Sequence, residues 1–220
     1  MRCFGFRPSD DFIDQEDMQM GRSTVKSKGV FCVEEADWWS DMKRSSSAES
    51  ALELLRKLPP YRTPYIHREV ATRDEFDHSI RKWRQAGYAR YPILYLAFHG
   101  TEGTIQFGDL RKPENLVGLN DLEELLGKNS CHRRIVYFSS CDTLDGRRLH
   151  SFVRRTGALA VCGFRCYVDW LTSLVFDLLF LRQAQSNAFT IPGMRAIDRR
   201  VREEAAGLYS KLGFRMVVNE

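Results

Sequence analysis

Two residues in this sequence carry chemistry at matching positions: a histidine and a cysteine, each standing just past the end of an apolar run. His99 follows Tyr-Pro-Ile-Leu-Tyr-Leu-Ala-Phe and is itself followed by Gly100, while Cys141 follows Ile-Val-Tyr-Phe-Ser-Ser. A thiolate is a strong nucleophile, and an imidazole beside it takes its proton or holds it as an ion pair. Gly100 leaves bare backbone where a substrate carbonyl must approach closely. Its amide, with that of Cys141, is placed to donate to a developing oxyanion. Alone, a cysteine after a strand is usually structural, and a histidine there usually packs or caps. The shared placement argues for the pair.

That placement requires both runs to be strands of one sheet. Near-continuous apolar runs of this length mark buried parallel strands, and sites form beyond the carboxyl ends of such strands. Further strands are predicted over residues 29–34, 65–70, 158–163 and 214–218, with a short hairpin over 103–108. Helices are predicted from about 47 to 58, from a cap at Thr72 or Asp74 to Gly87, from Asn120, over 147–155, over 171–183 and over 194–212. Strands alternating with helices give a doubly wound α/β domain, its sheet mostly parallel and its helices on both faces. Residues 1–28 lack periodicity and read as a flexible arm, leaving 29–220 as a single domain.

Composition narrows the function. The chain has 220 residues, 43% hydrophobic and 28% charged, with a net charge of +4. This charge is too small and too evenly spread to argue for direct nucleic-acid binding. No run is long enough to span a membrane, and the start of the chain has no secretory h-region. The six cysteines therefore read as reduced thiols in a cytoplasmic protein. Cys162 and Cys166 are four apart, but no second pair completes a zinc site, so no metal or cofactor is expected. Neither GxGxxG nor GxxxxGK[ST] follows any strand, which leaves a flavodoxin-like nucleotide binder without support.

With these residues in view, the chain resembles the caspase-like (clan CD) cysteine peptidases. LYLAFHG is similar to their strand-His-Gly motif. IVYFSSCDT is similar to the strand-Ser-small-Cys-acid-Thr motif of the CHAT branch, and GALAVCGFRCYVDWLTS to that branch's strand and following Val-Asp helix start. The resemblance spans about residues 29–185. It implies a caspase-like fold and peptide-bond hydrolysis, with His99 as general base, Cys141 as nucleophile and no cofactor. Ser139-Ser140 stands where caspases carry Gln-Ala, so aspartate specificity does not carry over.

In that superfamily, the pocket for the residue before the cleaved bond is lined from the loops after the first strand and near the cysteine. This implies Glu34, Glu35, Asp37, Ser139 and Asp169 as substrate-binding residues, and carboxylates there would select Arg or Lys. A solvated loop remains the other reading of Glu34, Glu35 and Asp37, and a helix N-cap the other reading of Asp169. Only five residues follow Cys141 before the next predicted helix, too short a stretch to be nicked for activation. Control by a partner chain is therefore expected, by analogy a TPR-bearing one in bacterial defence or signalling. The rival expectation is a catalytically silent caspase-like adaptor that binds peptide or protein.

Overall fold

In the computed structural model, the described residues are 27–36, 38–39, 43, 46–101, 103–109, 111–144 and 148–219. Asp37 and most of the expected arm lie outside them. The central sheet has six strands: β1 (Val30–Glu35), β2 (Tyr65–Val70), β3 (Ile93–Ala97), β7 (Ile135–Ser139), β8 (Ala160–Phe164) and β9 (Phe214–Val218). Their order is β2-β1-β3-β7-β8-β9, parallel except for β9. Every residue of β3 is buried, as the apolar run required.

Helices cover both faces, as expected for a doubly wound sheet. On one face α2 (Arg73–Trp83), α3 (Leu119–Leu126) and α4 (Leu149–Thr156) bury Phe76, Ile80, Trp83, Leu122, Leu126 and Phe152 against the outward set Leu94, Leu96, Val136 and Phe138. On the other, α1 (Glu49–Lys57), α5 (Trp170–Ser186), α6 (Ile191–Glu204) and α7 (Ala206–Lys211) pack on the alternate set Val30, Cys32, Tyr95 and Tyr137. The period-two alternation of each strand thus supplies two cores from one sheet.

Local chemistry explains most element ends. Thr72 caps α2 in a reciprocal capping box with Glu75. Gly157 ends α4 in the left-handed region at φ 72°. Two expectations are corrected. Asn120 lies inside α3; the helix starts one residue earlier, and the Asp121 carboxylate accepts the Gly118 N–H at 3.0 Å. The last predicted helix is two, broken at Ala205 (φ −130°, ψ 40°). Beyond the main sheet, the short hairpin is β4 (His99–Thr101) and β5 (Thr104–Gln106), joined by β6 (Leu116–Gly118) in a three-stranded antiparallel flap. Among the described residues, no helix is long and apolar enough to cross a membrane.

Candidate active site

The register of the sheet brings His99 and Cys141 together. Ala97 of β3 pairs with Ser139 of β7, so His99 and Cys141, each two residues further on, leave adjacent parallel strands at the same end. Both line one cavity of about 250 Å³, the scale of a single large side chain. Gly100 shows how closely the two segments meet. A Cβ there would lie 2.2 Å from the Cys141 carbonyl oxygen and 2.4 Å from Thr143 Oγ1. Only glycine fits, because the His99-Gly100 strand runs directly against the cysteine turn.

The cysteine turn is itself built from three sides. Asp142 takes a positive φ of 45°, a region that short polar residues tolerate better than bulky ones. Its N–H donates to the Cys166 carbonyl at 3.1 Å, and its carbonyl accepts from Gly103 N–H at 3.2 Å. The Cys141 thiol lies against the main chain of Val168, accepting from its N–H at 3.3 Å and donating toward its carbonyl at 3.6 Å. Burial pushes the thiol's pKa up; the Val168 amide opposes this, and the charges of Cys166 and Asp142 add to it. At neutral pH the resting group is therefore a thiol.

His99 is held by a main-chain and a ring contact. Its Nε2 lies 3.0 Å from the main-chain carbonyl of Trp38. A carbonyl only accepts, so Nε2 carries the ring proton and Nδ1 keeps a lone pair. The Trp38 indole packs edge-on against the imidazole at 5.1 Å. Glu35, almost fully buried, accepts the His99 backbone N–H at 3.3 Å and the Gly108 N–H at 3.1 Å. Its carboxylate stands 4.0 Å from Nε2.

The expected substrate-binding residues divide. Ser139 and Asp169 line the cavity. Asp169 also serves as the N-cap of α5, accepting from Thr172 N–H at 2.9 Å and Thr172 Oγ1 at 2.7 Å. Glu34 and Glu35 are not on the cavity lining. Neither is in a solvated loop: β1 extends one residue past its predicted end and buries both. Glu34 is consumed by Trp38 Nε1, Ser47 Oγ, the Ala48 N–H and His67, at 2.7–2.8 Å. Asp37 lies outside the described residues.

The structure adds residues that the sequence did not single out. Asp177 is fully buried beneath the cavity floor. It accepts from Tyr95 Oη at 2.6 Å, from Ser139 Oγ at 2.6 Å and from Tyr137 Oη. Burial pushes its carboxyl up to about 6 against the pull of the three hydroxyls. Ser139 and Tyr95 also line the cavity and contact each other at 3.0 Å, so this hydroxyl–carboxyl network forms its floor. Trp38, Trp39, Tyr167 and Trp170 supply aromatic walls.

Fold and site together define an α/β domain with a paired histidine and cysteine at a parallel-sheet rim. Residues 27–218 match the family described as DUF6642, a family of unknown function, and the chain belongs to that family. No curated protein matches the chain.

Proposed function

We propose that this protein is a cysteine endopeptidase of the caspase-like type. The observation that supports it best is the pairing of β3 with β7, which delivers His99 and Cys141 to one small cavity. His99 Nδ1 takes the thiol proton as Cys141 Sγ bonds to the scissile carbonyl carbon. The carbonyl π pair moves onto oxygen, which the amides of Gly100 and Cys141 receive. The tetrahedral species collapses, the C–N bond breaks, and the imidazolium returns its proton to the departing amine. Water activated by His99 then cleaves the thioester, releasing the acid and restoring the thiol. Glu35 anchors the His99 main chain, and the Trp38 carbonyl holds the ring.

The residue before the cleaved bond enters a cavity lined by aromatic walls, the Ser139 and Tyr95 hydroxyls and the Asp169 carboxylate. That combination suits an Arg or Lys side chain, through cation–π contact and charge-assisted hydrogen bonds. Tyr167 and Leu171, both exposed beside α5, offer a substrate protein or regulatory partner an apolar rest. The silent adaptor is the second reading, favoured by the raised pKa of Cys141 and its hold on Val168.

The test is a positional peptide library incubated with the purified chain, with and without candidate partners, alongside Cys141→Ala and His99→Ala. The proposal expects cleavage after basic residues, lost at least ~1,000-fold in both variants with folding retained. Equal cleavage by either variant sinks it, and binding without cleavage under every condition favours the adaptor.

A further inference from the structure

Away from the cavity, Cys32, Glu34 and His67 form a second cluster of reactive side chains on the sheet face covered by α1. Parallel pairing of β1 with β2 sets Cys32 opposite His67, and Glu34 shares a face with Cys32 two residues along β1. The sulfur, a carboxylate oxygen and a ring nitrogen all lie within 4.8 Å of one another. Donors of a tetrahedral zinc ion stand about 3.5 Å apart, given Zn–S near 2.3 Å and Zn–N near 2.0 Å. Small side-chain rotations close the difference.

The surroundings hold two of the three donors in advance. Glu34 Oε1 is fixed by the Trp38 indole N–H at 2.8 Å and the Ala48 N–H at 2.7 Å. Its Oε2 accepts from Ser47 Oγ at 2.8 Å and faces His67 Nε2 at 2.7 Å. The other ring nitrogen of His67, Nδ1, stands 3.6 Å from the Glu49 carboxylate. A metal-binding histidine commonly directs its second nitrogen to such a carboxylate, which sets its tautomer and orientation. Glu49 lies on α1, outside the cluster, and is half exposed. Cys32 and Glu34 are fully buried, and His67 has 9% of its side chain exposed, which gives an ion a way in.

We infer that Cys32, Glu34 and His67 form a divalent transition-metal site, best suited to zinc. Sulfur, nitrogen and oxygen donors together match zinc's borderline softness, with water in the fourth position. The charges also balance: a dication with one thiolate and one carboxylate is neutral, as a buried centre requires. Binding releases the thiol proton of Cys32 and empties Nε2 of His67, while Nδ1–H points to Glu49. Because the Trp38 indole rests on Glu34 and the Trp38 carbonyl holds His99, an ion here also stiffens the support of the candidate active site. The metal site does not rest on the peptidase reading.

The experiment uses the full chain in a Cys141→Ala background, which removes the cavity thiol, after stripping with a chelator. Zn²⁺ is titrated calorimetrically, and Co²⁺ is followed through its thiolate charge-transfer absorption. The expected result is one equivalent of zinc and a cobalt–thiolate band that Cys32→Ser abolishes. His67→Gln weakens binding at least ~100-fold, and Glu49→Gln, at a half-exposed position, weakens it about 10-fold. Circular dichroism verifies that each variant is folded. Absence of binding by the folded parent, or a thiolate band that survives Cys32→Ser, overturns the inference.

Discussion

Replacing Gly100 by alanine probes the closest contact in the candidate site. The added methyl would stand 2.2 Å from the Cys141 carbonyl oxygen and 2.4 Å from Thr143 Oγ1. Ordinary carbon–oxygen contact needs a little over ~3 Å, so one segment must retreat by roughly 1 Å. Neither is free to yield cheaply: Gly100 is paired with Ile105 in the flap, and the cysteine turn is tied to Cys166 and Gly103. The displacement falls on the gap between His99 and Cys141, where about 1 Å of misplacement costs about 100-fold in rate, or about 2.7 kcal/mol of barrier. Overpacking of this kind destabilises by about 1–3 kcal/mol, a Tm loss of several degrees that leaves the chain folded. Gly207, in α7, has nothing within 4 Å of the point where a Cβ would stand, so Gly207→Ala is the matched control. The assay is kcat/KM on a library-derived peptide, with thermal unfolding of each variant. A Gly100→Ala protein within threefold of the parent would refute the claimed apposition.

Two further outcomes follow from the titrating groups. Because burial raises the Cys141 pKa, its alkylation by iodoacetamide in the free protein should climb steadily through the alkaline range; a rate plateau between pH 6 and 8 would reveal a preformed thiolate and contradict the resting state described above. Asp177 has a folded pKa of about 6, against about 3.9 when unfolded. The folded chain thus binds this proton more tightly, so the group's contribution is fully present below about pH 4 and is lost as pH rises past 6. Its size is at most about 3 kcal/mol, from two units at about 1.4 kcal/mol each. Denaturant unfolding from pH 4 to 7 should show this loss in the parent and its absence in Asp177→Asn; parallel curves would show that Asp177 does not titrate as its burial demands.

The strands were legible because their alternation and apolar runs are local signals. β2 and β9 begin and end where the sequence places them, and the positions of His99 and Cys141 past β3 and β7 follow from the same signal. The flap strand β6, three residues long, carries no such pattern. The break at Ala205 is equally silent, since alanine favours helix. Glu34 and Glu35 illustrate a deeper limit. Acidic residues at a strand end read as solvated, yet both are buried because donors arrive from Trp38, Ala48, His67, His99 and Gly108. Apart from Trp38, those partners lie 14 to 73 residues away, beyond any local window. Asp177 escaped notice for the same reason, its three hydroxyl partners coming from β3 and β7. The Cys32–His67 juxtaposition arises from strand pairing, which the spacing rules for metal motifs do not capture.

The central claim is that Cys141 acts as a nucleophile deprotonated by His99. The most direct measurement is intact-mass detection of an acyl-enzyme after rapid mixing with an activated ester of an N-acylated arginine. A single adduct is expected, mapping to Cys141, decaying with turnover, and forming at least ~100-fold more slowly in His99→Ala. An adduct on Cys166 instead, or one on Cys141 that forms as fast without His99, would contradict the account.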